Sequence, residues 1–153
     1  AADPEVALLR VDGTIFLFAF AGSIATALSD TLSSEIGAVF DSPRLITTLE
    51  PVEPGTDGAV TWQGELAGFV GAALVATIAF LVFPAVDGSA TVTAAGAGVV
   101  FVAGIGGMTV DSLLGATLEG DVLGNQGVNF FATLAGALVA VLVAFVVGGA
   151  AFQ

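Results

Sequence analysis

The stretch WQGELAGFVGAALVATIAFLVF, residues Trp62 to Phe83, decides the fold because it is a long apolar run whose one charged side chain is Glu65. At about 1.5 Å per residue, a helix of this length spans the roughly 30 Å of hydrocarbon in a bilayer. Three further runs have the same character: roughly Thr14 to Phe40, Ala90 to Leu118 and Val128 to Ala151. A β-barrel would instead show short segments of alternating hydrophobicity. The sequence therefore predicts an all-α fold, a polytopic transmembrane helical bundle with about four membrane-spanning helices.

The composition of all 153 residues supports this prediction, because 56% are hydrophobic and only 10% are charged. A soluble domain of this length could not bury so much apolar surface in one core, so the lipid bilayer is the expected partner. We expect residues 1–153 to form a single transmembrane domain of a multi-pass protein in the cell membrane. Because the chain starts at Ala1 without an initiator Met, we also expect a fragment of a longer protein.

The charge balance excludes several classes of partner. Fourteen acidic residues stand against Arg10 and Arg44, with no Lys or His, so that the formal charge is −12. Binding to nucleic acid or to anionic lipid is disfavoured, and an acidic surface of this kind suits a halophile. Since the chain has no Cys, disulfides, thiolate metal sites and cysteine nucleophiles are excluded.

Successive membrane-spanning helices run in opposite directions, and this alternation sets the relative position of every loop. Residues 41–61 and 119–127 fall on one side of the membrane, which we call the motif face. The turn from Pro84 to Ser89 falls on the other side, and Pro84 is expected to end the second helix. Arg44 lies on the motif face and Arg10 on the opposite side, so the positive-inside rule does not set the orientation.

Two intramembrane carboxylates are the leading candidates for chemistry. Asp30 in the first helix and Asp111 in the third share the pattern D-[ST]-L-x-small, and both lie in the half of the helix nearest the motif face. Because these helices run parallel, we expect the two carboxyl groups to approach within roughly 8 Å, which one or two metal ions can bridge. Ionisable groups inside a bilayer are costly and are functional candidates by default. The alternative is a pair of protonated or shallow, water-exposed aspartates that only join neighbouring helices.

Further oxygen donors near these aspartates favour Mg²⁺ over zinc or copper. The additional candidates for metal or phosphate are Glu35, Glu119, Asn125 and Asn129. Glu35 lies about 140° around the helix from Asp30, so it ranks below Asp30 as a ligand. The two asparagines could equally cap a helix or form hydrogen bonds between helices.

A turn-rich segment of the first motif-face loop is a candidate phosphate cradle, because such turns can direct several backbone N–H groups toward one centre. Its residues are Gly55, Thr56, Asp57 and Gly58, and nearby candidates for phosphate contact are Arg44, Thr47 and Thr48. The segment lacks the Lys and the spacing of a Walker A loop, and an ordinary turn is the alternative. Arg44 could equally act as an anchor at the membrane interface.

Five segments of the chain, taken in order, resemble one family of membrane proteins. They are SDTLSSEIG at 29–37, PRLITT at 43–48, PGTDG at 54–58, DSLLGA at 111–116 and NQGVNF at 125–130. This pattern is similar to the integral-membrane family known as domain of unknown function 92, which includes eukaryotic transmembrane protein 19 and the plant phytyl-phosphate kinase. The N-terminal helices of that family have no counterpart here, so we expect a C-terminal portion of a longer protein.

The resemblance implies a membrane-embedded kinase that transfers a phosphoryl group from CTP or another nucleoside triphosphate to phytyl or geranylgeranyl phosphate. In that case Asp30 and Asp111 would be the catalytic, Mg²⁺-binding residues, and Arg44 with the glycine loop would hold phosphate. A membrane transporter with an intramembrane carboxylate-lined path remains the alternative. The kinase requires polar groups at one membrane face, whereas a transporter requires a path that continues to the other. A structural subunit is a third hypothesis, but it leaves the aspartates unexplained.

Overall fold

The computed structural model describes residues 13–87, 92–120 and 122–147, and its main elements are four long helices. Each of the four is long and apolar enough to cross a membrane, as the hydropathy predicts. Arg10 and the predicted helical residues 90–91 and 148–151 lie outside the described residues. The helices are α1 (Gly13–Gly37), α2 (Trp62–Asp87), α3 (Ala94–Leu118) and α4 (Asn125–Val147).

Two helix boundaries differ from the sequence prediction in ways that matter. The second helix continues through Pro84 to Asp87, so the prediction that Pro84 ends it was wrong. A proline removes one backbone hydrogen bond, but long membrane helices tolerate it when the rest of the ladder remains intact. The fourth helix begins at Asn125 instead of Val128, so Asn125 and Asn129 lie in its first two turns.

Threonine side chains define the starts of α2 and α3. The Thr61 Oγ1 accepts a hydrogen bond from the Gly64 N–H at 3.1 Å, and the Thr93 Oγ1 accepts one from the Gly96 N–H at 3.2 Å. Each hydroxyl satisfies a backbone donor that has no partner inside its helix. Thr61 therefore marks the end of the motif-face loop and the beginning of α2.

The four helices pack with α1 and α3 at the centre. Both central helices contact each other and both outer helices, α2 and α4. Since α1 and α3 are separated by one span, they run parallel, and the echoed D-[ST]-L segments fall at the same level. This arrangement places the two intramembrane aspartates in the middle of the bundle.

A buried threonine marks a close approach of α1, α3 and α4. Thr26 is fully buried, and its Oγ1 donates hydrogen bonds to the carbonyl oxygens of Gly22, at 3.0 Å, and Ala103, at 3.3 Å. A Cβ added at Gly107 or Gly136 would collide with the Thr26 side chain, so α3 and α4 meet α1 here through backbone. Small residues permit such close contact between membrane helices.

The bundle on the far side of Thr26 is apolar. The buried cluster there consists of aliphatic side chains and one phenylalanine, including Phe18, Ala21, Val99, Val100 and Ala140. Polar side chains are instead concentrated between Thr26 and the motif face. The plane of Thr26 thus separates an apolar half of the bundle from a polar half.

A short hairpin covers the motif face between α1 and α2. Strand β1 (Arg44–Leu45) pairs in antiparallel register with β2 (Ala59–Val60), so that Arg44 lies opposite Val60 and Leu45 opposite Ala59. The hairpin contacts α1 and α3 through β2. Its tip, residues 54–58, is thereby brought against the ends of the central helices.

Candidate functional site

A cavity of 290 Å³ opens at the motif face, where four separate segments of the chain meet. The end of α1 contributes Ser33, Ser34 and Gly37, and the hairpin contributes residues 54–61. The last turns of α3 and the start of α4 complete the wall with Asp111, Ser112, Gly115, Glu119 and Asn125. Since Pro43 also lines the cavity, each of the five sequence motifs contributes at least one residue to it.

The hairpin rests directly on the backbone of α3 at Gly58. This glycine has a φ of +71°, and an added Cβ would lie 2.5 Å from the Ser112 carbonyl oxygen and closer still to the backbone nitrogen of Ala116. A Cβ at Gly115 would in turn lie 2.9 Å from the Gly58 nitrogen. The cavity wall has this shape because neither position carries a side chain.

The loop at residues 55–58 is a hydrogen-bonded turn that leaves some donors unused. The Thr56 N–H and Oγ1 both donate to the Glu53 carbonyl, at 3.2 and 2.7 Å, and the Ala59 N–H donates to the Thr56 carbonyl at 3.0 Å. Among the hydrogen bonds of the described residues, none uses the N–H groups of Gly55, Asp57 or Gly58. Gly55, Asp57 and Gly58 all line the cavity, and backbone N–H groups without an internal partner are what an anion site in a turn requires.

The carboxyl groups of Asp30 and Asp111 are close enough to act directly on each other, and both line one small cavity, so the predicted approach of the two aspartates is confirmed. Glu119 is near enough to act electrostatically on both. The Oδ1 atom of Asp111 is buried and has no hydrogen-bond partner among the described residues. Two carboxyl groups this close repel each other when both are ionised, and they therefore require a shared proton or a cation.

A second, smaller cavity of 80 Å³ lies behind the carboxyl pair, between α1, α3 and α4. Asp111 lines both cavities, whereas Asp30 and Asn129 line only the smaller one. The Asn129 Nδ2 donates to the Asn125 Oδ1 at 3.4 Å, which links the residues of α4 that face the two cavities. The smaller cavity extends inward as far as Thr26, where the apolar half of the bundle begins.

The full set of four predicted metal ligands does not assemble. Among the described residues, no three acidic side chains converge closely enough to hold a metal ion together. Glu35 is exposed and lines neither cavity. It lies five residues after Asp30 on the same helix, and this separation places it about 140° around the helix axis from Asp30. The carboxyl pair of Asp30 and Asp111 still suits Mg²⁺, which commonly takes one or two carboxylates and completes its shell with water and substrate phosphate.

Arg44 does not line the cavity, contrary to the expectation that it holds phosphate there. Its Nη1 donates a 2.6 Å hydrogen bond to the carbonyl oxygen of Leu49, which has a left-handed φ of 59°. That backbone conformation is costly for a residue with a side chain, and the arginine offsets part of the cost. Thr47 and Thr48 are exposed beside it, and the Thr48 Oγ1 accepts from the Glu50 N–H at 3.3 Å.

Four hydroxyl-bearing residues that line the cavity were not predicted as site residues: Ser33, Ser34, Thr61 and Ser112. Ser34 and Ser112 lie within or beside the repeated D-[ST]-L segments, so the motifs contained the signal. Thr61 could be found only from its capping position at the end of the hairpin, directly before α2.

The contact of Arg44 with Leu49 leads to a prediction that separates its two candidate roles. Arg44→Lys should retain near-wild-type activity, because one ammonium donor can replace the single hydrogen bond to the Leu49 carbonyl, whereas Arg44→Ala should lower both activity and thermal stability. The measurements are turnover and the unfolding midpoint in the same detergent. If lysine restored stability but not turnover, the guanidinium would instead contact phosphate directly in the working enzyme.

The sequence is similar to one family of membrane proteins and to several of its individual members. Residues 4–137 match the family described as integral membrane protein DUF92. An uncharacterized membrane protein of Methanocaldococcus jannaschii is 43% identical over 129 residues, which are 83% of this chain and 51% of that protein. Protein PGR of Arabidopsis thaliana is 34% identical over 143 residues, covering 74% of this chain and 49% of PGR. Protein VTE6, chloroplastic, also from Arabidopsis thaliana, is 38% identical over 65 residues, covering 42% of this chain and 20% of VTE6.

The chain spans about half the length of the curated relatives that it matches over most of its own length. No solved structure matches it.

Proposed function

The chain belongs to the DUF92 family of integral membrane proteins, and from this premise we propose that the complete protein is a prenyl-phosphate kinase embedded in the cell membrane. It would transfer the terminal phosphoryl group of CTP, or of another nucleoside triphosphate, to phytyl or geranylgeranyl phosphate. The family's plant phytyl-phosphate kinase, which these motifs resemble, supports this choice of reaction.

One observation carries the proposal: residues of all five motif segments line a polar cavity at a single membrane face. A site at this level is open to water-soluble nucleotide, while an isoprenoid chain attached to the acceptor phosphate stays in lipid. Within residues 13–87, 92–120 and 122–147, the polar cavities end at the fully buried Thr26, between Gly107 and Gly136, and do not continue toward the opposite face. A transporter would need such a continuation.

The reaction exchanges one phosphorus–oxygen bond for another. An oxygen of the prenyl phosphate forms a bond to the γ-phosphorus, the bond from that phosphorus to the β,γ-bridging oxygen breaks, and the nucleoside diphosphate leaves with the bond's electron pair. Little covalent help from the protein is required, so positioning and charge neutralisation provide most of the rate enhancement.

The residues of the cavity fit these two requirements. Asp30 and Asp111 would hold Mg²⁺, since they form a close carboxyl pair and Asp111 has an unpartnered buried oxygen. The metal would neutralise charge on the phosphate oxygens. The N–H groups of Gly55, Asp57 and Gly58 would donate to the same oxygens. Asn125 and Asn129 would orient the phosphates or the carboxyl pair from α4.

The proposal is tested by a transfer assay on the complete protein in lipid nanodiscs. CTP labelled at the γ-phosphate, Mg²⁺ and geranylgeranyl phosphate should yield labelled geranylgeranyl diphosphate, identified by mass spectrometry, and chelation of the metal should stop its formation. Parallel reactions with phytyl phosphate and with the other nucleoside triphosphates establish which acceptor and which phosphoryl donor the protein prefers. The proposal fails if no diphosphate forms with any nucleotide, and ion or substrate flux into proteoliposomes would then favour the transporter.

A further inference from the structure

The smaller cavity, which contains the carboxyl pair, reaches the outer surface of the bundle between α1 and α4. Three of its lining residues are exposed: Ala27 and Thr31 on α1, and Asn129 on α4. The other lining residues, which include Asp30 and Asp111, are buried or half-buried. The three exposed residues therefore form the edge of a lateral opening that leads from the surface of the bundle to the two aspartates.

The lateral opening lies at the depth of the bilayer and not in the water at the motif face. Thr31 and Ala27 precede the end of α1 at Gly37 by about 9 and 15 Å along the helix. Asn129 lies about one turn inside the start of α4. Large apolar side chains are exposed next to the opening on both helices: Ile24, Phe130 and Leu134. A molecule that passes through the opening therefore comes from the membrane.

Polar groups at the lateral opening have bonding capacity that the bundle does not use. The Thr133 hydroxyl donates to the Asn129 carbonyl at 2.9 Å, whereas the Thr31 hydroxyl takes part in no hydrogen bond among the described residues. The Asn129 amide uses one of its two donors on the Asn125 Oδ1. The buried Oδ1 of Asp111 has no partner among the described residues. Polar groups in this state are unfavourable beside hydrocarbon, so they favour a polar ligand that arrives from the lipid side.

The sizes of the two cavities distinguish the two substrates of the proposed reaction. The smaller cavity has a volume of 80 Å³, which equals roughly three water molecules at ~30 Å³ each and suits the three terminal oxygens of a phosphate monoester. The larger cavity has 290 Å³ and lies at the motif face, where it can take the phosphates of a nucleotide from water. Asp111 lines both cavities and therefore lies between the two positions.

We propose that the smaller cavity binds the phosphate of the prenyl-phosphate acceptor, which enters from the bilayer through the lateral opening, while the nucleotide enters the larger cavity from water. The inference rests on the proposed function and adds a separate position and route for each substrate. The prenyl chain stays in lipid throughout, because its phosphate reaches the aspartates by moving in the plane of the membrane. After an acceptor oxygen bonds to the γ-phosphorus and the bond to the β,γ-bridging oxygen breaks, the nucleoside diphosphate leaves to water with the electron pair. The prenyl diphosphate returns to lipid.

Photolabelling of the complete protein in nanodiscs, with Mg²⁺ present, tests the two routes. One probe is geranylgeranyl phosphate with a diazirine on the isoprene unit next to the phosphate, and the other is CTP carrying an azide. Labelled residues are identified by mass spectrometry. Because any membrane probe labels lipid-facing residues to some extent, the relevant signal is the labelling that unlabelled geranylgeranyl phosphate removes and geranylgeraniol, which lacks the phosphate, does not.

Ala27→Phe tests whether the lateral opening is the entry route, because a large side chain at its exposed edge should obstruct it. The matched control is Ala73→Phe, which makes the same replacement at an exposed position of α2 that lines neither cavity of the site. Both variants are labelled with both probes under the conditions used for the wild type.

In the wild type, the phosphate-dependent labelling by the prenyl probe should fall on residues 24–31 and 129–134, and the CTP probe should label residues that line the larger cavity. Ala27→Phe should lower the prenyl labelling roughly tenfold, a common effect of a steric change in a binding pocket, and leave the CTP labelling unchanged. Ala73→Phe should behave as the wild type with both probes.

The inference is overturned if the phosphate-dependent prenyl labelling in the wild type falls only on residues 54–61 or on other surfaces, an outcome that does not depend on the folding of any variant. Equal prenyl labelling of Ala27→Phe and Ala73→Phe, or an equal loss of both probes in Ala27→Phe, would also overturn it. The labelling requires no phosphoryl transfer. Labelling at the lateral opening without kinase activity would therefore contradict the proposed function alone, and kinase activity with prenyl labelling only at the hairpin would contradict this inference alone.

Discussion

Replacing either aspartate of the carboxyl pair by asparagine is expected to lower turnover by about 10²–10³-fold, the range seen when one electrostatic contact to a transition state is removed. Asp30→Asn and Asp111→Asn keep the shape of each side chain but remove the charge that would hold Mg²⁺. The Mg²⁺ concentration needed for half-maximal activity should rise in both variants. The measurements are turnover of geranylgeranyl phosphate by the complete protein and a magnesium titration of each variant.

Folding should survive these substitutions, because asparagine keeps the shape and a hydrogen-bonding group at each position while it removes one of two carboxyl charges that repel each other when both are ionised. Helical content and the unfolding midpoint of both variants should equal or exceed those of the wild type. The matched control is Glu35→Gln, which removes a carboxylate from the same helix at an exposed position that lines neither cavity. Normal activity in both aspartate variants would assign the pair a structural role, in which the aspartates only join α1 to α3.

Gly58→Ala should cost about 10²-fold in activity while the four helices remain folded. The added Cβ would collide with the backbone of α3 near Ser112 and Ala116, so the hairpin must lift away from the cavity. Misplacement of a substrate-positioning group by about 1 Å can have an effect of this size. The loss should appear mainly in kcat/KM for the phosphate substrates. Far-ultraviolet circular dichroism and thermal unfolding of the same variant measure whether the helices remain folded.

The same hairpin provides a matched control for backbone strain. Gly55 also has a positive φ, +88°, but a Cβ there meets nothing within 4 Å. Gly55→Ala therefore carries the strain of a left-handed residue, about 1 kcal/mol, without the collision. If both variants lost activity equally, strain in the loop would explain the loss, and the docking of Gly58 on α3 would not.

The sequence alone determined the class of fold and the composition of the site. Long apolar runs can cross a bilayer only as helices, because every backbone polar group must be satisfied inside the segment. The alternation of four spans then placed the loops at 41–61 and 119–127 on one face and made α1 and α3 parallel. From that alone the approach of Asp30 and Asp111 followed, and the structure confirms it.

Other features were decided only by the tertiary structure, because they depend on rotation around a helix and on contacts between distant segments. The spacing of glycines along a helix is compatible with either helix packing or a ligand site. Only the tertiary structure shows that Gly107 and Gly136 pack directly against the Thr26 side chain. The sequence could not indicate that the Arg44 guanidinium would donate a hydrogen bond to the Leu49 carbonyl oxygen, because that bond depends on the turn between the two residues. The polar motifs are local in sequence, but the cavity that they form exists only where Gly58 allows the hairpin to touch α3.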